Sequence, residues 1–122
     1  MEFEKTEIKT MDMKPFEKIG SQWMLISAKK DGKVNTMTAS WGGVGVLWGK
    51  NVVTVYIRPQ RYTKEFVDAN DTFTLSFFNG NCMKELGYLG KVSGREEKDK
   101  IEKSGLHVEM IDGQPTFKEA SQ

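Results

Sequence analysis

The segment Tyr56–Phe66 carries residue types that can hold a phosphate group. A strand-like run ends before Pro59, and a helix is predicted to begin near Thr63. Unpaired amides and the positive dipole end of a helix attract anions. The guanidinium groups of Arg58 and Arg61 can fork onto phosphate oxygens, and Thr63 can add its hydroxyl. The alternative interpretation is that Thr63 only caps the helix and that both arginines are solvated.

A second segment, Val34–Gly43, combines polar side chains with small residues. Asn35, Thr38 and Ser40 offer donors and acceptors that can recognise the edge of a heteroaromatic ring. The glycines that follow would let a ligand approach the backbone closely. The alternative is that these polar residues form the solvated face of an amphipathic strand.

Other catalytic patterns are absent from the sequence, which has no dinucleotide-type glycine motif, no P-loop and no Cys/His cluster for zinc. His107, the only histidine, lies in an alternating apolar run and is expected to be structural. Cys82 is the only cysteine, which rules out an intrachain disulfide and favours a reducing compartment. We therefore expect no metal site and no catalytic side chain, with the difficult chemistry carried by a cofactor.

The elements that must position these segments are mostly strands. Alternation and β-branched runs predict strands over 23–30, 33–41, 51–57, 72–78 and 106–111, and helices over 15–20, 63–70, 81–88 and 96–103. Asp-Gly at 31–32 and 112–113 predicts two-residue hairpin turns. Four glycines punctuate residues 42–49, for which no strand is predicted. The order favours a mainly β fold, a small barrel with flanking helices, over a doubly wound parallel sheet. Ser93 followed by Glu96 predicts a capping box.

The length and the net charge of the chain limit the classes of protein to which it can belong. The 122 residues predict a single domain over 1–122, whose thin core would gain from oligomerisation. Eighteen basic against 17 acidic residues give a net charge near +1, which argues against a nucleic-acid partner. No apolar run approaches the roughly 20 residues of a membrane span, and the charged start lacks a leader pattern. We therefore expect a cytoplasmic protein.

Three motifs occur in a fixed order along the chain. They are Asn35-Thr36-Met37-Thr38-Ala39-Ser40-Trp41, then Arg58 with Arg61-Tyr62-Thr63, and finally Ser93-Gly94-Arg95 with Asp99-Lys100-Ile101. Together they resemble those of the flavin reductase-like family, an FMN-binding split barrel that includes flavoredoxin. The resemblance covers roughly residues 16–120.

The resemblance implies FMN as the cofactor and assigns residues to its parts. It places the flavin ring along Thr38, Ala39 and Ser40 and the phosphate at Arg58, Arg61 and Thr63. It also implies that the remaining cofactor-binding residues are Asn35, at the ring or ribityl chain, with Met37, Tyr62 and Lys100.

The resemblance further implies a flavin-dependent oxidoreductase that passes electrons from NAD(P)H through FMN to an acceptor, in a homodimer with flavin near the subunit interface. Two alternatives stay open. One is a flavoredoxin-like electron carrier or redox sensor that is reduced by an electron-transfer protein. The other is a non-catalytic interaction module on the same barrel. Relatives continue for several tens of residues beyond the position of Gln122. Three explanations stay open: a barrel truncated at the C-terminus, a short gene product, and completion of the barrel by a partner subunit.

Overall fold

The computed structural model describes residues 3–122. Its strands are β1 (Met24–Lys30), β2 (Lys33–Ala39), β3 (Gly42–Leu47), β4 (Lys50–Val55), β5 (Thr74–Phe77), β6 (Val108–Ile111) and β7 (Gln114–Phe117). Its helices are α1 (Pro15–Gly20), α2 (Tyr62–Asp68), α3 (Met83–Lys91) and α4 (Lys100–Ser104), preceded by a 3-10 turn at Ile8–Thr10. This order confirms the prediction of a mainly β fold with flanking helices. Among residues 3–122, no helix has the length and apolar character needed to cross a bilayer.

The strands hydrogen bond as three antiparallel sheets. The central sheet has the order β2-β1-β5, while β3-β4 and β6-β7 are separate hairpins. The main chain of Ser121 and Gln122 hydrogen bonds with Phe77, so it covers the end of β5. Over the described range the strands do not hydrogen bond into one closed barrel, and β2 is the other edge of the central sheet.

Both faces of the central sheet are buried, which explains why five consecutive residues of β1 are inaccessible. On one face Leu25 packs with Phe78, Leu86 and Leu89, so this face lies against α3. The opposite face joins a second cluster, which comprises Ile19, Met24, Ile26, Met37, Ala39 and Phe77. The sheet is therefore the middle layer, and it holds β2 rigidly in place.

Both predicted Asp-Gly hairpins are confirmed. Asp31 and Gly32 have φ of 52° and 77°, and Asp112 and Gly113 have φ of 51° and 78°. A two-residue turn of this type needs positive φ at both positions, which Asp tolerates and Gly favours. The first turn fixes the register of β1 against β2, with Lys30 opposite Lys33.

The glycine-rich segment is a strand, and the prediction that placed none there was wrong. The return strand predicted over 33–41 ends at Ala39, after which the chain leaves the sheet and β3 begins at Gly42. A Cβ atom on Gly42 would overlap the carbonyl oxygen of Thr54, so close pairing of β3 with β4 requires glycine here. The turn at Trp48 and Gly49 has positive φ at both residues but lacks the usual Asn or Asp signal.

The start of the last helix also needs correction. The helix predicted over 96–103 begins at Lys100, and the capping box is not formed. The amide of Glu96 bonds the carbonyl of Ser93, whose hydroxyl accepts from the Arg95 amide at 3.1 Å. A turn therefore uses these groups before the helix starts. The helix predicted over 15–20 has those bounds, and the helices predicted over 63–70 and 81–88 are present with their ends shifted by one to three residues.

Candidate functional site

Two of the segments singled out in the sequence meet at one cavity of about 160 Å³. It lies where the end of β2 passes the loop between β4 and α2. One wall is the stretch from Met37 to Trp41, and the facing wall comes from Tyr56, Arg58 and Arg61. Six of the ten predicted site residues line it: Met37, Thr38, Ala39, Ser40, Arg58 and Arg61.

The β2 wall presents backbone as well as side chains, because β2 is an edge strand. Residues next to a two-residue turn form a hydrogen-bonded pair, so alternate residues of β2 direct their amides and carbonyls away from β1. By this parity Val34, Thr36 and Thr38 face outward, and none has a backbone partner in residues 3–122. Thr38 therefore brings a free amide and carbonyl to the cavity.

The Thr38 side chain is tied to α3. Its hydroxyl donates to the carbonyl of Leu86, and a Cβ added to Gly90 would lie 3.2 Å from the Thr38 Cβ. Because the hydroxyl proton is committed to α3, the side chain can only accept a hydrogen bond from a ligand. The backbone amide of Thr38 and the hydroxyl of Ser40 are the remaining donors on this wall.

Asn35 and Thr63 form a buried pair outside the cavity wall. The Asn35 amide nitrogen donates to the Thr63 hydroxyl at 2.7 Å, and Thr63 is only 1% exposed. Thr63 does not cap α2; the residue before the helix is Arg61, which makes no side-chain cap bond. The alternative interpretation, in which Thr63 only caps the helix, does not hold, because its hydroxyl is turned into the interior. The pair links β2 to α2.

Arg58 and Arg61 are the cations of the cavity. The Arg58 guanidinium lies 5.9 Å from the centre of the Trp41 ring, and Arg61 is half-buried. Burial lowers the pKa of Arg61, and the neighbouring charge of Arg58 lowers that pKa further. Neither arginine pairs with a carboxylate within residues 3–122. Two uncompensated guanidinium groups on one wall favour an anion.

Tyr62 also lies outside the cavity wall. Its ring packs edge-on against Phe66 at 5.1 Å, and the Arg95 guanidinium covers it at 4.7 Å. Arg95 in turn pairs with Glu65 at 2.6 Å. These contacts of Arg95, which we call the clamp, hold the loop of the third sequence motif against the first turn of α2.

Lys100 is buried behind this clamp, with 2% of its surface exposed. Its side-chain nitrogen donates to the carbonyls of Leu89 at 3.3 Å and Val92 at 2.9 Å. Burial, and then the charge of Arg61, lower the pKa of Lys100 to about 8. Lys100 does not line the cavity, but its charge acts on the same cluster of cations.

Two residues that the sequence analysis did not select as site residues, Trp41 and Tyr56, line the cavity. Both are large aromatic side chains left 55% and 61% exposed. Tyr56 begins the first informative segment and Trp41 ends the motif Asn35–Trp41, and those positions were the available signal. Flat, exposed aromatic side chains beside a cavity suit a planar ligand.

His107 lies away from this cavity, on the surface. Its Nδ1 is 2.7 Å from a carboxylate oxygen of Glu119, whose other oxygen accepts from the His107 amide at 3.0 Å. These bonds hold β6 beside the chain that follows β7, in keeping with the structural role expected for this histidine.

The family model for the flavin reductase like domain matches residues 16–121. The chain therefore belongs to the flavin reductase-like domain family. No functionally curated protein matches the sequence.

Solved structures give the same fold. An FMN-binding domain of a flavin reductases-like enzyme from Shewanella baltica OS155 superposes with a TM-score of 0.75 at 20% identity, covering 87% of this chain and 56% of its own. Flavoredoxin from Methanosarcina acetivorans gives 0.67 at 28% identity, covering 81% and 52%. Flavoredoxin of Desulfovibrio vulgaris (Miyazaki F) gives 0.68 at 23%, covering 95% and 62%. The chain thus spans between half and two thirds of these proteins.

Proposed function

We propose that this chain binds FMN at the cavity between β2 and the β4–α2 loop and serves as a flavin-dependent oxidoreductase. The observation that carries the proposal is the meeting of a strand edge with two arginines that pair with no carboxylate among residues 3–122. Membership of the family supports it, as does the fold shared with a protein described as an FMN-binding domain.

The β2 edge fits the ring of a flavin. The isoalloxazine ring has a pyrimidine-like edge with alternating donors and acceptors, which an outward-facing amide and carbonyl at Thr38 can complement. Ser40 adds a hydroxyl, and Ala39 is small enough to let the ring lie close. Trp41 and Tyr56 supply flat apolar surface beside it. Met37 lies at the core side of the wall, where it packs with Ile26.

The opposite wall fits the phosphate. Arg58 and Arg61 can each donate a pair of hydrogen bonds to phosphate oxygens, and a buried or half-buried cation gains more from an anion than an exposed one does. Asn35 and Thr63 contribute by fixing the distance between this wall and β2. We assign Tyr62 and Lys100 a supporting role behind Arg61 rather than direct contact.

When bound, FMN supplies hydride acceptance and stepwise electron release, chemistry that no side chain of this site provides. The chain's own residues bind the cofactor, orient its ring and surround it with donors. In this proposal the electron donor is NAD(P)H, and the protein acts in the cytoplasm. The free Cys82 thiol suits a reducing compartment.

A flavoredoxin-like electron carrier is the second candidate. It is favoured by two solved relatives that are themselves flavoredoxins. In that case the same site would be reduced by an electron-transfer protein and would not oxidise nicotinamide.

An assay separates the two functions. Purified protein is loaded with FMN and mixed with NADH or NADPH without oxygen, and flavin bleaching is followed at its visible absorption band. Bleaching faster than for free FMN supports the oxidoreductase. Bleaching only by a reduced ferredoxin-type protein supports the carrier. A protein that leaves FMN fluorescence unchanged at every concentration would refute both and favour a non-catalytic interaction module.

We further propose that residues 1–122 form one domain that pairs as a homodimer. The two hydrophobic clusters share the central sheet, which supports one folding unit. The β3-β4 hairpin is exposed along most of its length, with Val46, Leu47 and Trp48 uncovered, and Phe16 of α1 is 95% exposed. Exposed apolar surface of this extent suits a second copy of the chain.

A further inference from the structure

We infer that the cavity between α1 and β3 is a second binding site, which takes an uncharged, planar electron acceptor of the quinone class. The inference rests on the proposed function, because the acceptor would take its electrons from FMN in the neighbouring cavity. It adds to that function the chemical class of the acceptor and the surface that binds it.

Ser40 joins the two cavities. It lines the cavity proposed for FMN, and it also lines the cavity beside α1, whose volume is about 280 Å³. The second cavity therefore begins where the chain leaves β2 and enters β3. Because Thr38, Ala39 and Ser40 are the residues proposed to hold the flavin ring, a molecule in the second cavity would lie next to that ring.

The lining of the second cavity is apolar and uncharged. Helix α1 contributes the buried Ile19 and the ring of Phe16, which is 95% exposed, and β3 contributes Val44. Among residues 3–122, no charged side chain lines this cavity. A nicotinamide dinucleotide carries a diphosphate, which such a lining does not neutralise. An uncharged ligand loses little by leaving water here.

The β3 side of the cavity is open to a flat molecule. Gly42 and Gly43 both line it, and a Cβ atom on Gly43 would meet nothing within 4 Å. The space over this part of the strand is therefore free, and the missing side chains let a ligand approach the backbone closely.

A quinone fits both this surface and the proposed function. Its flat apolar ring can stack on Phe16, and one of its carbonyl oxygens can accept a hydrogen bond from the Ser40 hydroxyl. In the transfer the quinone gains two electrons and two protons and becomes a hydroquinone. The dihydroflavin that supplies them returns to oxidised FMN, so no further reactant is needed.

The dimer contact proposed at Trp48 lies at the far end of β3. Trp48 is about 15 Å from Gly43 along an extended strand. A second copy bound at the tip of the hairpin can therefore leave the base of β3 open, and the inference assigns Phe16 to the acceptor.

Binding can be measured without turnover. Duroquinone, a benzoquinone with no free ring position for thiol addition, is titrated into isotope-labelled protein with and without saturating FMN. We expect saturable shifts of the amide resonances over residues 16–20 and 42–44, and these shifts should persist when FMN is bound. Anthraquinone-2,6-disulfonate, which carries two negative charges, should bind at least about tenfold more weakly than duroquinone.

The outcomes separate the inference from the proposed function. No duroquinone shifts over these two segments, as when a second copy covers the cavity, would overturn the inference and leave FMN binding intact. Shifts confined to residues 38–41 and abolished by FMN would overturn it as well. FMN that moves no resonance of residues 38–41 would instead refute the proposed function.

Two pairs of variants assign the site. Val44→Glu should weaken duroquinone binding at least about tenfold, because the ligand would strip water from a carboxylate. Val46→Glu, on the same face of β3 but not lining the cavity, should retain the wild-type affinity. Phe16→Ala should weaken binding by about 2- to 10-fold through loss of stacking, whereas Phe73→Ala, at another exposed ring, should not. Equal losses within each pair would contradict the inference, and retained FMN binding shows that the variants fold.

Discussion

Arg61 is the side chain on which phosphate recognition depends most, since it is half-buried, faces the cavity and lacks a carboxylate partner within the described chain. Replacing it with alanine should weaken FMN binding by about 1.5–3 kcal/mol, the usual worth of a charged hydrogen bond. Riboflavin binding should change little, because riboflavin has no phosphate. Fluorescence titration measures both.

A neighbouring cation provides the control for that prediction. Lys64 follows closely on α2 but pairs with Asp68 at 2.6 Å. Lys64→Ala should leave the FMN affinity within about twofold of wild type, because solvent ions screen the charge of a surface lysine that does not line the cavity. Equal losses in the two variants would show that the net charge of the surface, rather than a site at Arg61, determines affinity.

The Thr63 hydroxyl accepts a hydrogen bond from the buried Asn35 side chain, and the expected contact of this hydroxyl with phosphate stays a prediction. Thr63→Val preserves shape but leaves the buried Asn35 amide without its acceptor. We expect a loss of about 1–3 kcal/mol in the free energy of unfolding, measured by urea denaturation. Thr54→Val, on the exposed side of β4, should change it by less than about 0.5 kcal/mol. Similar changes in the free energy of unfolding in both variants would argue against a special role for the Asn35–Thr63 hydrogen bond.

The loop over residues 93–99 positions α2, and Gly94 is the residue at which this loop contacts the Tyr62 ring at the start of the helix. Gly94→Ala places a methyl group against Asn35 and Tyr62, which should destabilise the fold by about 1–3 kcal/mol through overpacking and weaken FMN binding indirectly. Gly87→Ala, on α3 with open space around it, should be neutral or stabilising by up to about 1 kcal/mol. Thermal unfolding measures the stability of both variants. A Gly94→Ala variant as stable as the wild type would contradict this role of the loop.

The elements differ in how far the sequence predicts them. The Asp-Gly hairpins and strand β5 were predicted from local signals, and the structure contains both, although Ser76 and Phe77 are both buried and the burial along β5 does not alternate. Strand β3 escaped prediction because glycines carry no pattern, and its pairing depends on the close approach of Gly42 to Thr54. The Asn35–Thr63 bond joins residues 28 positions apart, so nothing local predicts that Thr63 turns inward. The cavity was predictable only as two segments, because their meeting depends on the whole sheet.

At the scale of the whole molecule, the exposed β3-β4 hairpin predicts self-association. Trp48, 89% exposed at its turn, should lie in the dimer contact. Trp48→Glu should shift the protein from dimer to monomer in light scattering, because burying an unpaired charge costs several kcal/mol. Lys118→Glu, beside the separate β6-β7 hairpin, should stay dimeric. A wild-type monomer at high concentration would contradict the prediction.

The stability of the free protein should also report on Lys100. Its pKa is lower in the folded state than in the unfolded chain, so between about pH 8 and 10.5 the unfolded chain binds more protons. Stability therefore rises across that range relative to Lys100→Met, by up to about 3 kcal/mol at its top. Urea midpoints of the two proteins measured against pH test this, and parallel curves would contradict it.

We expect FMN to lie between the β2 edge and the arginines of the β4–α2 loop. The most direct measurement is a titration of isotope-labelled protein with FMN, followed by the amide resonances of residues 38–41 and the guanidinium resonances of Arg58 and Arg61. We expect saturable shifts at these positions, with riboflavin moving the amides but not the guanidinium groups. Shifts confined to other surfaces, or none at all, would contradict it.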